Sequence, residues 1–170
     1  MRVFEFIHIP KCAGSSVAEA LGFKGCQHKT ASSTNKEHFR FTFVRNPFDR
    51  LVSSYNYLTG GFGNKGDQKF GETLPKTFDE FVRNGINLEW LHFKPMRQWL
   101  DAEINYVGKY ENLDSDFSDI TKLMGIEATL KHINKSSHKH FSEYYDDELR
   151  EIVGGAYAED IEYFGYKFII

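Results

Sequence analysis

Two short segments of the chain combine cations, hydroxyls and glycine in an order that suits anion binding. The first is residues 8–16, HIPKCAGSS. Lys11 offers a mobile cation, Gly14 lets the backbone approach a ligand closely, and Ser15 and Ser16 offer hydroxyl donors. A helix starting after this loop would add N–H groups and a positive dipole end. The segment is predicted to hold a phosphate or sulfate; the alternative is a plain strand-to-helix turn with a solvated lysine.

The second segment is residues 43–53, FVRNPFDRLVS. Its arginine, Arg45, stands at the end of a predicted strand, and Ser53 follows on the first turns of a predicted helix. Ser53 lies about seven residues, or roughly 10 Å, along that helix from Asn46. An arginine can reach along this distance, so Arg45 and Ser53 are predicted to bind one phosphate together. The alternative is a surface ion pair of Arg45 with Asp49, in which Ser53 has no role.

Neither segment has the arrangement of a nucleoside-triphosphate P-loop. That loop reads G-x-x-x-x-G-K-[ST], with the lysine directly before the helix. Here Lys11 precedes Gly14, and G-K-[ST] occurs nowhere in the chain. An apolar strand ending in a magnesium-binding aspartate is also missing from the sequence. A variant nucleotide kinase or NTPase is therefore kept only as an alternative function.

The elements predicted around the two segments alternate between strands and helices. Apolar, β-branched and aromatic runs predict strands over residues 3–8, 39–44 and 105–110. Ser16 and Glu19 predict a capping box for the first helix, and Asn46 with Pro47 predicts the start of the second. Further helices are predicted over residues 77–84, 117–125 and 146–163, with loops over 60–76 and 132–138. The alternation predicts an α/β fold with a mostly parallel central sheet and helices on both faces.

Length, composition and charge limit the class of protein. The 170 residues predict one domain over 1–170, and 41% hydrophobic residues are ordinary for a globular protein. Two cysteines make neither a disulfide framework nor a zinc site. The N-terminal residues contain no secretory apolar segment, and no stretch is long and apolar enough for a membrane helix, so a soluble cytoplasmic protein without a membrane partner is expected.

The charges are unevenly distributed along the chain. The net charge of −3 argues against a nucleic-acid partner. Residues 1–60 nevertheless carry eight Lys and Arg against four Asp and Glu, whereas residues 111–170 carry six against thirteen. An acidic protein with a basic first third is expected to hold its anion there.

The two segments together resemble the cofactor signatures of the sulfotransferases, in particular the carbohydrate sulfotransferase families. Residues 8–16 match H-[IV]-P-K-x-[AG]-G-[ST]-[ST], and residues 43–53 match [FV]-x-R-[ND]-P-x-x-R-x-x-S. The resemblance continues through residues 108–113, 134–136 and 160–166, and so covers nearly the whole chain. It implies a P-loop-like three-layer fold and a donor, 3′-phosphoadenosine 5′-phosphosulfate (PAPS), used without a metal ion.

The resemblance also implies roles for individual residues. The first loop holds the 5′-phosphosulfate, through the consecutive residues Lys11, Cys12, Ala13, Gly14, Ser15 and Ser16. Arg45 and Ser53 hold the 3′-phosphate, and Lys11 additionally stabilises the oxygen that leaves with the 5′-phosphate. A non-catalytic module that binds the adenosine bisphosphate is a further alternative.

A hydroxyl acceptor needs a base, and His28 is the leading candidate. In similar carbohydrate sulfotransferases, a histidine between the two motifs takes the acceptor proton, and histidine titrates near neutrality. His38 is the rival and Glu111 the runner-up; both histidines could also be plain surface residues. Lys135 is a possible further contact to the donor phosphates.

The acceptor itself is expected to be a glycan or another small hydroxyl compound. The loop over residues 60–76 and the segment Trp90–Trp99 are the places where it would be recognised. Aromatic rings in the second segment suit stacking on a sugar, although Trp90, Phe93 and Trp99 are equally typical of a core. The sequence does not indicate an oligomeric state or adenine-binding residues.

Overall fold

A parallel sheet brings the ends of three strands to one edge. The computed structural model describes residues 2–23, 27–131 and 139–168. Its strands are β1 (Phe4–Ile7), β2 (Phe39–Val44) and β3 (Tyr106–Lys109). They pair in parallel in the order β1-β2-β3, so β2 is central. Because the strands are parallel, their carboxyl ends lie along the same edge, where α/β proteins bind ligands.

Helices follow each strand, and further helices lie in the segments between β2 and β3 and after α5. Their bounds are α1 (Gly14–Ala20), α2 (Pro47–Thr59), α3 (Lys65–Thr73), α4 (Phe78–Arg83), α5 (Leu113–Met124), α6 (Asp147–Ala156) and α7 (Ala158–Phe164). Short 3₁₀ turns also occur, including Met96–Trp99 ahead of β3 and Tyr110–Asn112 between β3 and α5. None of the helices within the described ranges is long and apolar enough to cross a membrane.

The chain divides into two compact units. Unit 1 comprises Met1–Arg45 and Met96–Lys135, and unit 2 comprises Asn46–Pro95 and Ser136–Ile170. The sheet, α1 and α5 belong to unit 1, whereas α2, α3, α4, α6 and α7 belong to unit 2. The expectation of one domain over residues 1–170 stays a prediction.

The core of unit 1 follows from the alternation along β2. Phe41 and Phe43 point to one face, where they pack with Phe6 of β1. Helices α1 and α5 cover this face through apolar side chains, namely Val17, Ala18, Leu113, Phe117 and Ile120. On the opposite face Thr42 and Val44 are also fully buried, so both faces of the sheet are covered. Removing a ring such as that of Phe41 would cost about 3–5 kcal/mol of stability.

The core of unit 2 is built from one face of each of several helices. The apolar stripe of α2 is the centre of this core, and α4 and α6 pack against it. The most buried members are Leu51, Val52, Leu58, Phe81, Val82, Phe93, Leu149, Val153 and Tyr157. Arg50 is 1% exposed in the same unit and donates from Nη1 to the carbonyl oxygen of Lys94 at 3.0 Å. This guanidinium is therefore a buried member of unit 2.

The predicted α/β class with a parallel sheet and flanking helices is confirmed. Strand β2 and the start of α2 at Pro47, capped by Asn46, fall where the sequence predicted them. The loop predicted over residues 60–76 is wrong in part. Residues 65–73 form helix α3 rather than a loop, because Asn64 and Asp67 make a capping box at its start. The predicted C-terminal helical region is helical and consists of two helices, α6 and α7.

Candidate active site

The loop after β1 has an unusual backbone. Lys11 has φ of 67° and Ala13 has φ of 63°. In the part of the chain that the structure describes, these are the two residues other than glycine with a positive φ. The left-handed region costs an L-residue with a Cβ about 1–2 kcal/mol. Strain of this kind is concentrated at ligand clamps and active sites, so the backbone agrees with the predicted role of the loop.

Helix α1 begins at Gly14 without a side-chain cap. Its N-cap is Ala13, in the left-handed conformation, and this residue makes no capping hydrogen bond with its side chain. The predicted capping box of Ser16 with Glu19 is therefore wrong, since Ser16 already lies inside the helix. The first N–H groups of a helix have no partner within the helix. With no side-chain cap on them, they suit an anion. Ser15 on this turn is exposed, whereas Ser16 is buried.

Gly14 is required for a reason that the sequence did not show. A Cβ added to Gly14 would overlap the Cδ2 and Nε2 atoms of the His8 ring. The ring of His8 thus lies directly on the first residue of α1, and it also stacks on Phe6 with 5.6 Å between ring centroids. The absence of a side chain at position 14 makes room for an imidazole in addition to any ligand.

Two cations meet at this edge of the sheet. Burial, together with the nearby charge of Arg45, lowers the pKa of Lys11 from 10.5 to about 8. Arg45 is 6% exposed and donates from Nη1 to the backbone carbonyl of Lys11 at 3.2 Å. Two like charges held this close, one half-buried and one buried, favour an anion that neutralises both. The pKa of Lys11 is therefore evidence that this position is suited to a negatively charged ligand.

Arg45 is also held by the end of the third strand. Its guanidinium carbon lies 4.1 Å from the centroid of the Tyr110 ring, directly after β3. A guanidinium stacked on an aromatic face donates its hydrogen bonds in its own plane, as Arg45 does to the carbonyl of Lys11. Through Arg45, the ends of β1, β2 and β3 are in contact. The alternative of a surface ion pair does not describe this buried side chain. Tyr110 was not singled out in the sequence, because a stacking partner 65 positions away leaves no local signal.

His28 lies at the same edge as the loop. Its Nδ1–H donates to the backbone carbonyl of His8 at 2.7 Å, and the two imidazole centroids are 4.3 Å apart. A carbonyl oxygen can only accept, so this bond requires the proton on Nδ1 and leaves Nε2 of neutral His28 without one. His28 is exposed. An exposed imidazole with an available Nε2 can act as a base.

The rival bases occupy different positions. His38 comes just before β2, at the amino end of the sheet, and its Nδ1 lies 3.0 Å from Oε2 of Glu5. This is the edge opposite to the one that carries Lys11 and Arg45. Glu111 lies in the 3₁₀ turn after β3 and is exposed, so it shares the carboxyl edge. The structure thus brings His28 and Glu111, but not His38, to the edge with the cations.

The other predicted site residues have varied surroundings. The thiol of Cys12 is buried and donates to the carbonyl of Pro10 at 3.6 Å. Ser53 lies on α2 in unit 2 and is 2% exposed. Its contact with a phosphate stays a prediction. Lys135, like Cys26, lies outside the described residues.

The aromatic residues suggested for the acceptor are mostly packed into the protein. Phe93 is fully buried, and Trp90 stacks on Phe70 with centroids 3.8 Å apart. Trp99 is 3% exposed, with its ring edge-on to His28 at a centroid distance of 6.0 Å. The core interpretation therefore holds for Trp90 and Phe93, whereas Trp99 has a contact at the candidate site.

No metal cluster is visible in the described ranges. There, no three side chains of His, Cys, Asp or Glu come together in a way that could hold a metal ion. The expectation that the reaction needs no metal ion stays a prediction.

Comparison with known proteins agrees with this geometry. The profile described as Sulfotransferase family matches residues 2–167. Carbohydrate sulfotransferase 11 of Rattus norvegicus is 31% identical over 124 residues, covering 56% of this chain and 35% of the rat protein. Carbohydrate sulfotransferase 14 of Danio rerio is 27% identical over 114 residues, covering 53% and 31%. The chain thus spans about a third of the length of these relatives.

A shorter relative matches over more of its length. An uncharacterized protein of Archaeoglobus fulgidus is 28% identical over 118 residues, which are 66% of this chain and 83% of that protein. No solved structure matches the chain. The family match covers almost every residue, including both anion-binding segments, and it confirms the family and the enzyme class predicted from them. The chain belongs to the Sulfotransferase family.

Proposed function

We propose that the chain transfers a sulfuryl group from PAPS to a hydroxyl of an acceptor, and that the acceptor is a carbohydrate. The observation that carries the donor half is the pair of neighbouring cations, half-buried Lys11 and buried Arg45, beside a loop with two left-handed residues that ends at the start of α1. The carbohydrate half is supported by the names of the relatives, carbohydrate sulfotransferases 11 and 14. The expected cytoplasmic location remains part of the proposal.

The residues of the first loop fit a phosphosulfate. Lys11 offers a cation, and the first N–H groups of α1 offer donors fixed in place by the backbone. PAPS supplies the sulfuryl group and an anionic leaving phosphate. Lys11 stabilises the charge that develops on the leaving oxygen, as preorganised donors do in other group transfers. The transferred group carries a single negative charge, so we propose that these donors suffice without a metal.

The 3′-phosphate is assigned to Arg45 and Ser53, as the second motif implies. For Arg45 the support is its rigid placement over Tyr110. For Ser53 the support is the motif alone.

The acceptor proton is assigned to Nε2 of His28. Nδ1 of His28 keeps its proton in the hydrogen bond to the carbonyl of His8, so Nε2 is the nitrogen that can accept a proton. When the acceptor oxygen bonds to sulfur, its proton passes to Nε2 and His28 becomes a cation. Catalysis by a positioned base contributes roughly 10²–10⁴ in rate.

The donor assignment is tested by thermal unfolding with nucleotides. A ligand that binds only the native state stabilises it by about 2.7 kcal/mol at a hundredfold excess over its Kd. Adenosine 3′,5′-bisphosphate should raise Tm in the presence of a chelator, and 5′-AMP should raise it much less. Equal shifts would contradict the 3′-phosphate assignment, and a shift that requires magnesium and ATP would favour a nucleotide kinase.

The reaction is tested by transfer of radiolabelled sulfate to a panel of glycans. His28→Ala should lose roughly 10²–10⁴ in turnover while keeping its affinity for the bisphosphate. His38→Ala is the matched control, because it removes the same side chain at the other edge of the sheet. If both variants turn over at the parent rate, His28 is not the base and Glu111 is tested next. A parent that binds the bisphosphate but transfers sulfate to no acceptor would favour the non-catalytic module.

A further inference from the structure

A carboxylate outside the sequence motifs holds the segment that carries His28. Oδ1 of Asp101 accepts a hydrogen bond from the backbone N–H of Ser32 at 2.8 Å. Oδ2 of the same carboxylate accepts one from the Ser32 hydroxyl at 2.6 Å. Both oxygens of one side chain are thus bound to one residue, four positions after His28. Such a two-point contact fixes orientation as well as distance.

The segment needs an anchor because it has no regular structure of its own. Residues 27–30 are neither helix nor strand. A loop of this kind has considerable backbone freedom, and each residue that is ordered costs about 1–2 kcal/mol in entropy. A base misplaced by about 1 Å can lose roughly a hundredfold in rate. Catalysis by His28 therefore requires contacts that hold the segment in place.

Asp101 is suited to this task because it follows a rigid stretch of unit 1. Trp99 and Leu100 just before it are buried, at 3% and 4% exposure. The guanidinium of Arg97 donates from Nη1 to the carbonyl of Leu100 at 2.7 Å. Trp99 also contacts the ring of His28 edge-on. One short stretch of chain thus touches both the imidazole and the segment that carries it.

The ionisation of Asp101 agrees with a permanent contact. Burial alone would raise its pKa, but the hydrogen bonds from the hydroxyl and amide of Ser32 and from Thr30 leave the pKa below its ordinary value. The carboxylate therefore stays charged at neutral pH, with its full capacity to accept.

We propose that Asp101 is a positioning residue for the base: by holding Ser32, it keeps Nδ1 of His28 on the carbonyl of His8 and so presents Nε2 to the acceptor. This inference rests on the proposed function for the role of His28 in turnover. The geometric part of the inference is that His28 has a fixed tautomer, and this part does not depend on whether the chain transfers sulfate. Asp101 touches neither donor nor acceptor in this scheme and acts through His28.

The geometric part is tested by nitrogen NMR of the full chain labelled at histidine, with His28 assigned by comparison with His28→Gln. In the parent, neutral His28 should carry its proton on Nδ1. In Asp101→Ala, the Nδ1–H and Nε2–H forms should both be populated. Asp119→Ala is the matched control, since it removes an exposed carboxylate of unit 1 that pairs with Lys122. If Asp101→Ala leaves the tautomer of His28 as in the parent, the proposal is wrong, whether or not the parent transfers sulfate.

The catalytic part is tested by combining variants. Asp101→Ala should lower kcat roughly ten- to hundredfold and leave bisphosphate affinity unchanged. In a His28→Ala background the same substitution should have no further effect, because effects that pass through one group are not additive. An equal loss in both backgrounds would show that Asp101 does not act through His28. Should Asp101→Ala fail to fold, Ser32→Ala removes one of the two bonds and should give a smaller loss of the same kind.

Discussion

The two strand-to-helix connections of the predicted motifs are built in opposite ways. After β1, six residues separate strand from helix, two of them have a left-handed backbone, and α1 starts without a side-chain cap. After β2, only Arg45 and Asn46 intervene. There the Asn46 side chain accepts from the N–H of Phe48, and Pro47 occupies the first helical position. The first connection has a strained backbone and an N-cap residue without a capping side chain, whereas the second has a side-chain cap that fixes the turn next to Arg45.

This difference indicates different roles for the segment after β1 and the segment after β2. The loop after β1 is suited to contact the group that reacts, because it places Lys11 beside the start of α1, whose first N–H groups point away from the helix. The connection after β2 is suited to hold Arg45 still, because a low-energy turn and the ring of Tyr110 leave it little freedom. Substitutions in the first connection should therefore change turnover, and those in the second should change affinity or stability.

Among substitutions in the two connections, the largest effect is expected from Lys11→Ala. Loss of a preorganised donor at a developing charge typically costs about 10²–10³ in rate, and the bisphosphate should also bind more weakly. Turnover and calorimetric binding are measured on the same variant. Lys122→Ala, which removes an exposed lysine from α5, is the control for net charge. Identical results for the two lysines would remove Lys11 from the mechanism.

Arg45→Ala should act mainly on affinity. A charge-assisted, bidentate contact is worth about 1.5–3 kcal/mol, so the bisphosphate should bind roughly ten- to a hundredfold more weakly. Binding of 5′-AMP should change much less, because it lacks the 3′-phosphate. Arg45→Lys keeps the charge but loses the planar fork. Full affinity in Arg45→Lys would contradict the bidentate contact.

A smaller effect is expected from pH. The pKa of Lys11 is about 8 in the folded chain, below its ordinary value of 10.5, because burial and Arg45 disfavour the cation. Bisphosphate affinity should fall as the pH rises through about 8, since Lys11 loses its charge. The unliganded fold should become more stable between about 8 and 10.5, because the unfolded chain binds the proton more tightly there. Titrations of affinity and of Tm should therefore run in opposite directions, and Lys11→Met should abolish both trends.

The smallest effect is expected from Asn46→Ala, a substitution in the connection after β2. Asn46→Ala should lower the free energy of unfolding by about 1 kcal/mol, since it removes an N-cap. Affinity for the bisphosphate should stay within error of the parent. Chemical denaturation and calorimetry measure the two quantities. A large loss of affinity without a loss of stability would show that the second connection binds ligand directly, and the contrast with the first would disappear.

The sequence correctly predicted those strands and helix ends whose formation depends on neighbouring residues alone. The alternating aromatic residues of β2 and the Asn46-Pro47 start of α2 needed no distant partner, and both were predicted at their observed positions. Helix α3 was missed because four glycines between residues 60 and 66 suggested a loop, although Asn64 and Asp67 carried the capping signal. The start of α1 was misplaced because a left-handed Ala13 has no recognisable pattern in sequence.

The candidate site was predictable only in part, because much of it depends on register and on distant contacts. The motifs identified Lys11 and Arg45, but not the ring of Tyr110 beneath the guanidinium. No local feature separates His28 from His38. The pairing of β1 with β2 does so, because it puts His38 at the amino edge of the sheet. Asp101 could not be found from sequence, since its contacts with Ser32 span 69 positions.

The contact between His8 and Gly14 has a consequence for how related sequences should be compared. The imidazole of His8 fills the space that a side chain at position 14 would need, and it also lies against His28. Positions 8 and 14 should therefore vary together: a homologue with a larger residue at 14 should have a smaller one at 8. In such a homologue the residue at position 28 would lose the ring contact that His28 makes with His8.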